Sequence, residues 1–202
     1  KMKTKIKTTL FLSMLTIAIG FTACTKDSPK PTIITATITE LDATAACVNV
    51  PNQGLVCTGP FTKFSFSEGG EVQGDNWDIA FRNSKIIVNG GTDSDTSQPS
   101  RTGNAAAYKI DGLMAEISSV NVDLLKQDGS NTSMYGTTAI IDDQGQEGLG
   151  WSLYNNDIPQ APILEPLAGK IFVFRTHDNK YAKVEILNFY DNPMTNPYGG
   201  YY

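Results

Sequence analysis

The chain has 202 residues, 40% of them apolar and 18% charged, which is enough for one domain with a real core and not for two. Its formal charge is −5, from 21 acidic and 16 basic side chains. That acidic balance excludes a protein whose partner is nucleic acid, and a single histidine leaves little room for imidazole-based catalysis.

The N-terminus has the order of a secretory signal: Lys1, Lys3, Lys5 and Lys7, an apolar run from Leu10 to Phe21, then Thr22-Ala23-Cys24. The run is too short to span a bilayer, which takes about 20 apolar residues, and polar residues follow at once. Small residues before a cysteine fit the processing site of bacterial prolipoproteins, although Phe21 stands where leucine is usual. Residues 1–23 are therefore expected to be a removable signal and Cys24 to carry acyl chains such as palmitate; the alternative is an ordinary signal beside an incidental cysteine. Losing four lysines and no acid moves the formal charge from −5 to −9. Attachment to a membrane would then rest on the lipid and not on a basic patch.

Residues 24–31, with Pro29 and Pro31, read as an extended tether, and residues 32–202 as a single domain. The β-branched stretch Thr32–Thr39 predicts a strand. Cys47 and Cys57 flank Asn49, Pro51, Asn52 and Gly54, so export predicts a disulfide across a hairpin, contributing about 2–3 kcal/mol at most, with free thiols as the alternative. Strands are expected at Phe61–Ser67, where Phe64 and Phe66 share a face, and at Asn76–Arg82, with Trp77, Ile79 and Phe81 on one face and Asp78 and Arg82 on the other. Ile86–Val88 follows as a further strand, stopped by Asn89-Gly90-Gly91.

Residues 92–103 contain no apolar side chain and predict an exposed loop. One short helix is expected between Leu113 and Leu125, and a strand at Thr137–Ile141. The clearest element is a terminal hairpin, Lys170–Arg175 and Tyr181–Tyr190 around a polar turn at 176–180; the tail after it is a final edge segment or disordered. The sum is an all-β fold of mainly antiparallel sheets, sandwich-like, with a few short helices.

Conventional catalytic constellations are missing. His177 falls at a hairpin tip, a poor place to shield a nucleophile and a common one for a satisfied or solvated side chain. Asp142-Asp143 lies in a Gly-rich connection, where solvation or loose calcium binding outweighs acid–base work, and Gly69-Gly70 and Gly90-Gly91 end strands without opening a helix. An enzyme is disfavoured.

Two series of motifs point to a family. Phe64-Ser65-Phe66-Ser67, Glu71-Val72, Asn76-Trp77-Asp78-Ile79-Ala80-Phe81-Arg82 and Val88-Asn89-Gly90-Gly91 form the first; Gly150-Trp151, Tyr154, Pro166, Phe172-Val173-Phe174-Arg175-Thr176 and Asn179–Ile186 form the second. In this order, over residues 61–190, they resemble the HmuY-like haem-binding lipoproteins. The resemblance implies a compact all-β fold on the outer membrane of a Gram-negative bacterium, at the cell surface, with haem captured for iron uptake and passed to a TonB-dependent receptor. It places one iron ligand in the segment containing Met134 and the other shortly after the Gly-Trp block, where Tyr154 and Asn156 stand in this chain. An amide oxygen at Asn156 is a weak iron donor, so Met134 is the leading candidate, either as the sole protein ligand or with Tyr154 or Met114 as a second; His177 could serve only if the hairpin tip curls over the pocket. Trp77, Phe81, Trp151, Phe172 and Phe174 are expected to build the core and not a porphyrin pocket, and Arg82 and Lys183 to lie at the sheet surface. The alternative function is an accessory lipoprotein that docks on an outer-membrane complex without haem.

Overall fold

The computed structural model describes residues 34–52, 54–93, 96–133, 136–138, 141, 150–155, 163–191, 199–200 and 202. Two units divide between Thr35 and Ala36, and every described strand lies in the second. These strands are β1 (Ala46–Val50), β2 (Gly54–Thr58), β3 (Thr62–Ser65), β4 (Gly70–Glu71), β5 (Ile79–Arg82), β6 (Lys85–Val88) and β7 (Ala106–Asp111). They continue with β8 (Asn131–Ser133), β9 (Gly136–Thr138), β10 (Ser152–Asn155), β11 (Ile163–Pro166), β12 (Lys170–Arg175) and β13 (Tyr181–Glu185). All pairings between these described strands are antiparallel, and one isolated bridge, Gly91 with Asp128, is parallel.

Two sheets supply the framework, one ordered β4-β3-β5-β6 and the other β13-β12-β7. Because side chains alternate along a strand, each sheet offers one face to a shared core: Phe64, Ile79, Phe81, Ile86 and Val88 from the first, Ala107, Phe172 and Phe174 from the second. Trp151, Leu164, Phe189, Leu41 and Ala43 close this core from outside the two sheets. The opposite faces are covered too. Ile171 and Val173 of β12 are buried, so the run Ile171-Phe172-Val173-Phe174 is apolar throughout because neither face meets water.

Beyond the first sheet, Phe61, Trp77, Ala80 and Ile87 form a second, smaller cluster. Trp77 therefore does not share a face with Ile79 and Phe81, as simple alternation predicts. Asp78 is the reason: it lies before β5 begins, held by its N–H to the carbonyl of Phe64 at 2.9 Å, and this irregular residue resets the phase.

The stretch 34–39 joins no strand and is exposed throughout, so the strand expected at Thr32–Thr39 is absent from its described part. β-Branched residues favour a strand only where a partner edge exists, and here the first pairing comes later. Leu41 exchanges backbone hydrogen bonds with Tyr202, both at 3.2 Å, and the N–H of Ala43 donates to the carbonyl of Gly200 at 2.8 Å. The described end of the tail is thus an edge segment. Gly200 has φ +104°, and a Cβ there would press on Ala43 and Thr44.

β7 was not expected, because Ala105-Ala106-Ala107 lacks β-formers. Its alanines are fully buried, small enough to pass between β12 and the loops above them. The expected helix between Leu113 and Leu125 is two separate 3-10 turns, Met114–Glu116 and Val122–Leu124; the second is capped by Asn121, whose side chain accepts from the N–H of Asp123 at 3.2 Å. Cys47 and Cys57 pair directly across β1 and β2 and form the expected disulfide.

Candidate functional site

Polar side chains of the motif blocks knit loops to strands. Asp78, with 1% of its side chain exposed, accepts from the N–H of Phe66 on Oδ2 and from both the N–H and the Nδ1 of His177 on Oδ1, each at 2.7 Å. Asn89 is fully buried: its amide donates to the carbonyls of Asp75 and Trp77, and its oxygen accepts from the N–H groups of Thr102 and Gly103. Four backbone groups in two loops are satisfied by one side chain, which suits a buried asparagine.

The loop at 92–103 departs from expectation. Its described part is anchored by Arg101, which forms an ion pair with Asp128 at 3.0 Å, the two side chains only 3% and 2% exposed. Arg101 also donates to the carbonyl of Pro99 and to Oε1 of the buried Gln98, while Asp128 Oδ2 accepts from the N–H of Val88 at 3.0 Å. Arg82 is likewise not at the surface: it is 7% exposed, with its guanidinium 4.3 Å from the centroid of Phe61 and a hydrogen bond to Ser97 Oγ at 2.9 Å. Lys183 is exposed as expected, and its Nζ clasps the carbonyls of Met114 and Ile117 at 2.6 and 2.8 Å. Trp77, Phe81, Trp151, Phe172 and Phe174 are all buried, so these aromatic residues serve the core.

The two segments to which the resemblance assigns iron ligands are hairpin connections. β8 and β9 pair around residues 134–135, and β10 and β11 pair around residues 156–162. Met134 and Asn156 lie outside the described residues, as do Asp142, Asp143 and the anchor Cys24. Tyr154 sits in β10 opposite Leu164, its side chain also outside the described set. Met114 is partly buried in the first 3-10 turn, which covers the outer face of the sheet containing β12 and β13. The structure therefore does not bring the candidate ligands together into one described site.

Three of the described phenols are engaged in hydrogen bonds. The phenolic oxygens of Tyr108 and Tyr190 accept from the N–H groups of Asn121 and Leu164, and that of Tyr202 donates to the carbonyl of Asn83 at 2.6 Å. A cavity of about 260 Å³ lies beside the turn of Met114, lined by Ile110, Asp111, Gly112, Glu116, Ile117, Ser118 and Ser119. It carries no imidazole or thioether and is smaller than the roughly 300–1,000 Å³ usual for small-molecule sites. On its rim the hydrogen bond from Lys170, at 2.7 Å, holds the carboxyl of Asp111 below its usual range, while burial, followed by the charge of Lys170, lowers Lys109. None of Met134, Tyr154, Asn156 and Met114 lines this cavity.

Comparison with known proteins bears on the whole scaffold. Among curated proteins none matches the chain. A crystal structure described as a lipoprotein from Bacteroides fragilis aligns over 77% of each chain with 13% identity and a TM-score of 0.38, too distant to bear on the site. The family model described as HmuY protein matches residues 59–199, from the end of the disulfide hairpin through both framework sheets and both ligand-segment hairpins into the tail. The chain belongs to the HmuY family.

Proposed function

We propose that this protein is a cell-envelope lipoprotein, held at the outer membrane of a Gram-negative bacterium by acyl chains on Cys24, that binds haem without transforming it and hands it to an outer-membrane transporter of the TonB-dependent type. The observation that carries this reading is the family match across residues 59–199, which includes both hairpins. The burial of the motif aromatics supports placing ligand chemistry at the hairpin connections, since those side chains are committed to packing. Haem is cargo here, and the chain's part is to hold it. The Met134 thioether would be the protein's main hold on the iron, with Tyr154 of β10 and Asn156 after it as further donors, and apolar burial of the ring contributing about 25 cal/mol per Å².

Titration of the purified protein with haem under reducing conditions, which favour a soft sulfur ligand, tests the reading by the Soret band. A saturable shift is expected, with affinity reduced about tenfold or more in Met134→Ala, or about 1.4 kcal/mol and upward. No shift in the wild type ends the haem reading; an identical titration in the variant ends the assignment of Met134.

A second reading, an accessory lipoprotein docking on an outer-membrane complex, is favoured by the exposed apolar residues Leu113, Val122 and Leu124, at 63%, 58% and 48% exposure. Co-purification with a membrane complex after gentle detergent extraction, lost on replacing these three with serine, is the outcome it requires.

A further inference from the structure

His177 is the chain's sole histidine, and its setting differs from that of a solvated turn residue. The turn between β12 and β13 is fixed internally: the N–H of Thr176 donates to the carbonyl of Lys180, and the N–H of Lys180 donates to Thr176 Oγ1, both at 2.8 Å. It is also fixed from outside. Asn104 N–H donates to the carbonyl of His177 at 3.4 Å, and Gly103 lies so close that a Cβ there would meet Cβ of His177. Behind the ring sits the buried carboxylate of Asp78, whose Oδ1 is 2.7 Å from Nδ1.

Ionised, a carboxylate only accepts, so the neutral ring must carry its proton on Nδ1 and leave the lone pair on Nε2. Nε2 has no hydrogen-bond partner among the described residues. The His177 side chain is 17% exposed, and Nε2 is not among the buried unpartnered atoms of the described residues. A carboxylate behind an imidazole with its far nitrogen open is the arrangement that orients and strengthens metal-binding histidines.

We propose that His177 presents Nε2 as a ligand to a d-block metal centre, either a free divalent ion or the iron of a tetrapyrrole, with Asp78 orienting the ring from behind. The part of Asp78 is to orient the ring, since its Oδ1 is already taken by the N–H and Nδ1 of His177 and its Oδ2 accepts from Phe66 N–H. Among the described residues Asp178 supplies a further carboxylate in the same turn. One ligand atom from each of Asp78, His177 and Asp178 lies within 4.8 Å of the others, and Asp178 is held by Thr176 Oγ1 and by Lys180, whose side chain is 71% exposed and free to swing away. Imidazole and carboxylate together suit zinc, copper, nickel or iron. The iron alternative rests on the haem reading above. Asn104, which donates to the His177 carbonyl, also accepts from Gln127 Nε2 at 3.2 Å, so the turn is tied to the segment that leads into β8.

The test is a pair of titrations of the purified protein, one with Zn²⁺ and one with haem, followed by the ¹⁵N resonances of the single imidazole, by calorimetry and by absorption. In the metal-free protein the ring should show the tautomer protonated at Nδ1. Saturable movement of Nε2 with Zn²⁺ in the wild type, with the calorimetric Zn²⁺ binding lost in His177→Gln and weakened about 10–100-fold in Asp78→Asn, supports a free-ion site. A haem spectrum that changes in His177→Gln, with no response to Zn²⁺, supports iron ligation. An Nε2-protonated ring, or an imidazole that neither addition perturbs, overturns the proposal, and does so even where Met134-dependent haem binding is intact. The tautomer is measured on the wild type, so the proposal stays open to refutation if Asp78→Asn fails to fold.

Discussion

Two connections in this molecule reverse what their compositions suggest. Residues 92–103 hold no apolar side chain, yet Gln98 and Arg101 are buried there and tied to Asp128 and the strand ends. The segment from Leu113 to Leu125, crossing the outer face of β12 and β13, is rich in leucine and valine, yet Leu113, Val122 and Leu124 point to water. What separates them is the availability of partners. Asp128 and Asn89 offer acceptors inside the fold, so a polar loop can be drawn in with its charges paired and its N–H groups satisfied. The apolar segment finds no such partners for its exposed side chains, and it is held by its backbone through Lys183 and through Tyr108, whose hydroxyl accepts from Asn121 N–H.

The largest effect should follow from breaking the buried pair. Arg101→Met leaves the Asp128 carboxylate in the interior without its cationic partner and should cost about 3–5 kcal/mol in urea unfolding, since half of a buried ion pair is worse than none. Domains of this size have roughly 5–15 kcal/mol in total, so the variant should be marginal at room temperature. A loss under about 1 kcal/mol would mean that water reaches the pair and that the loop is not buried in the sense described.

On the apolar segment the same experiment should do less. Lys183→Met removes the clasp on the carbonyls of Met114 and Ile117 and should cost about 1 kcal/mol, a net hydrogen-bond contribution at an exposed site. Hydrogen exchange should quicken at Glu116, whose N–H donates to the carbonyl of Leu113 at 2.9 Å, and not in β12. Protection lost equally in β12 would show that the segment is part of the core and not a cover laid over it. Leu113→Ser should shift stability by less than about 0.5 kcal/mol, because no buried contact goes with it.

The same contrast explains what was legible in the sequence. The terminal hairpin, the disulfide hairpin and the strands around Phe64, Phe81 and Ile87 could be read because alternation and turn residues are local signals. Trp77 could not be placed, since the phase of its segment is set by a hydrogen bond from Asp78 to Phe64 in another strand. Arg101 and Asp128 stand 27 residues apart and Asp78 and His177 99 apart, so neither pairing leaves a trace in spacing. The signal available for His177 was its singularity; that a buried carboxylate orients it emerges only when the chain folds. Met134 and Asn156 were named from the resemblance and lie outside the described residues, so the ligand assignment rests where the sequence left it.

The turn at 176–180 supplies the third and mildest case, a polar connection whose ion pair faces solvent. Lys180 lies 2.7 Å from Asp178, and its hydrogen bond, followed by that of the Thr176 hydroxyl, lowers the Asp178 pKa from 3.8 to about 2. A carboxylate with a depressed folded pKa stabilises the native state above the unfolded value and loses that contribution as pH falls toward the folded one. The window is therefore pH 4 down to 2, with no change between pH 5 and 8 from this group. Because Lys180 is exposed, screening should make the effect small and sensitive to salt, unlike that of the Arg101 pair. Titration of the Asp178 carboxyl carbon by NMR at two ionic strengths checks this: a midpoint near 2 that rises toward 3.8 with salt is expected, whereas a midpoint near 3.8 at both would show that Lys180 does not hold the turn in solution.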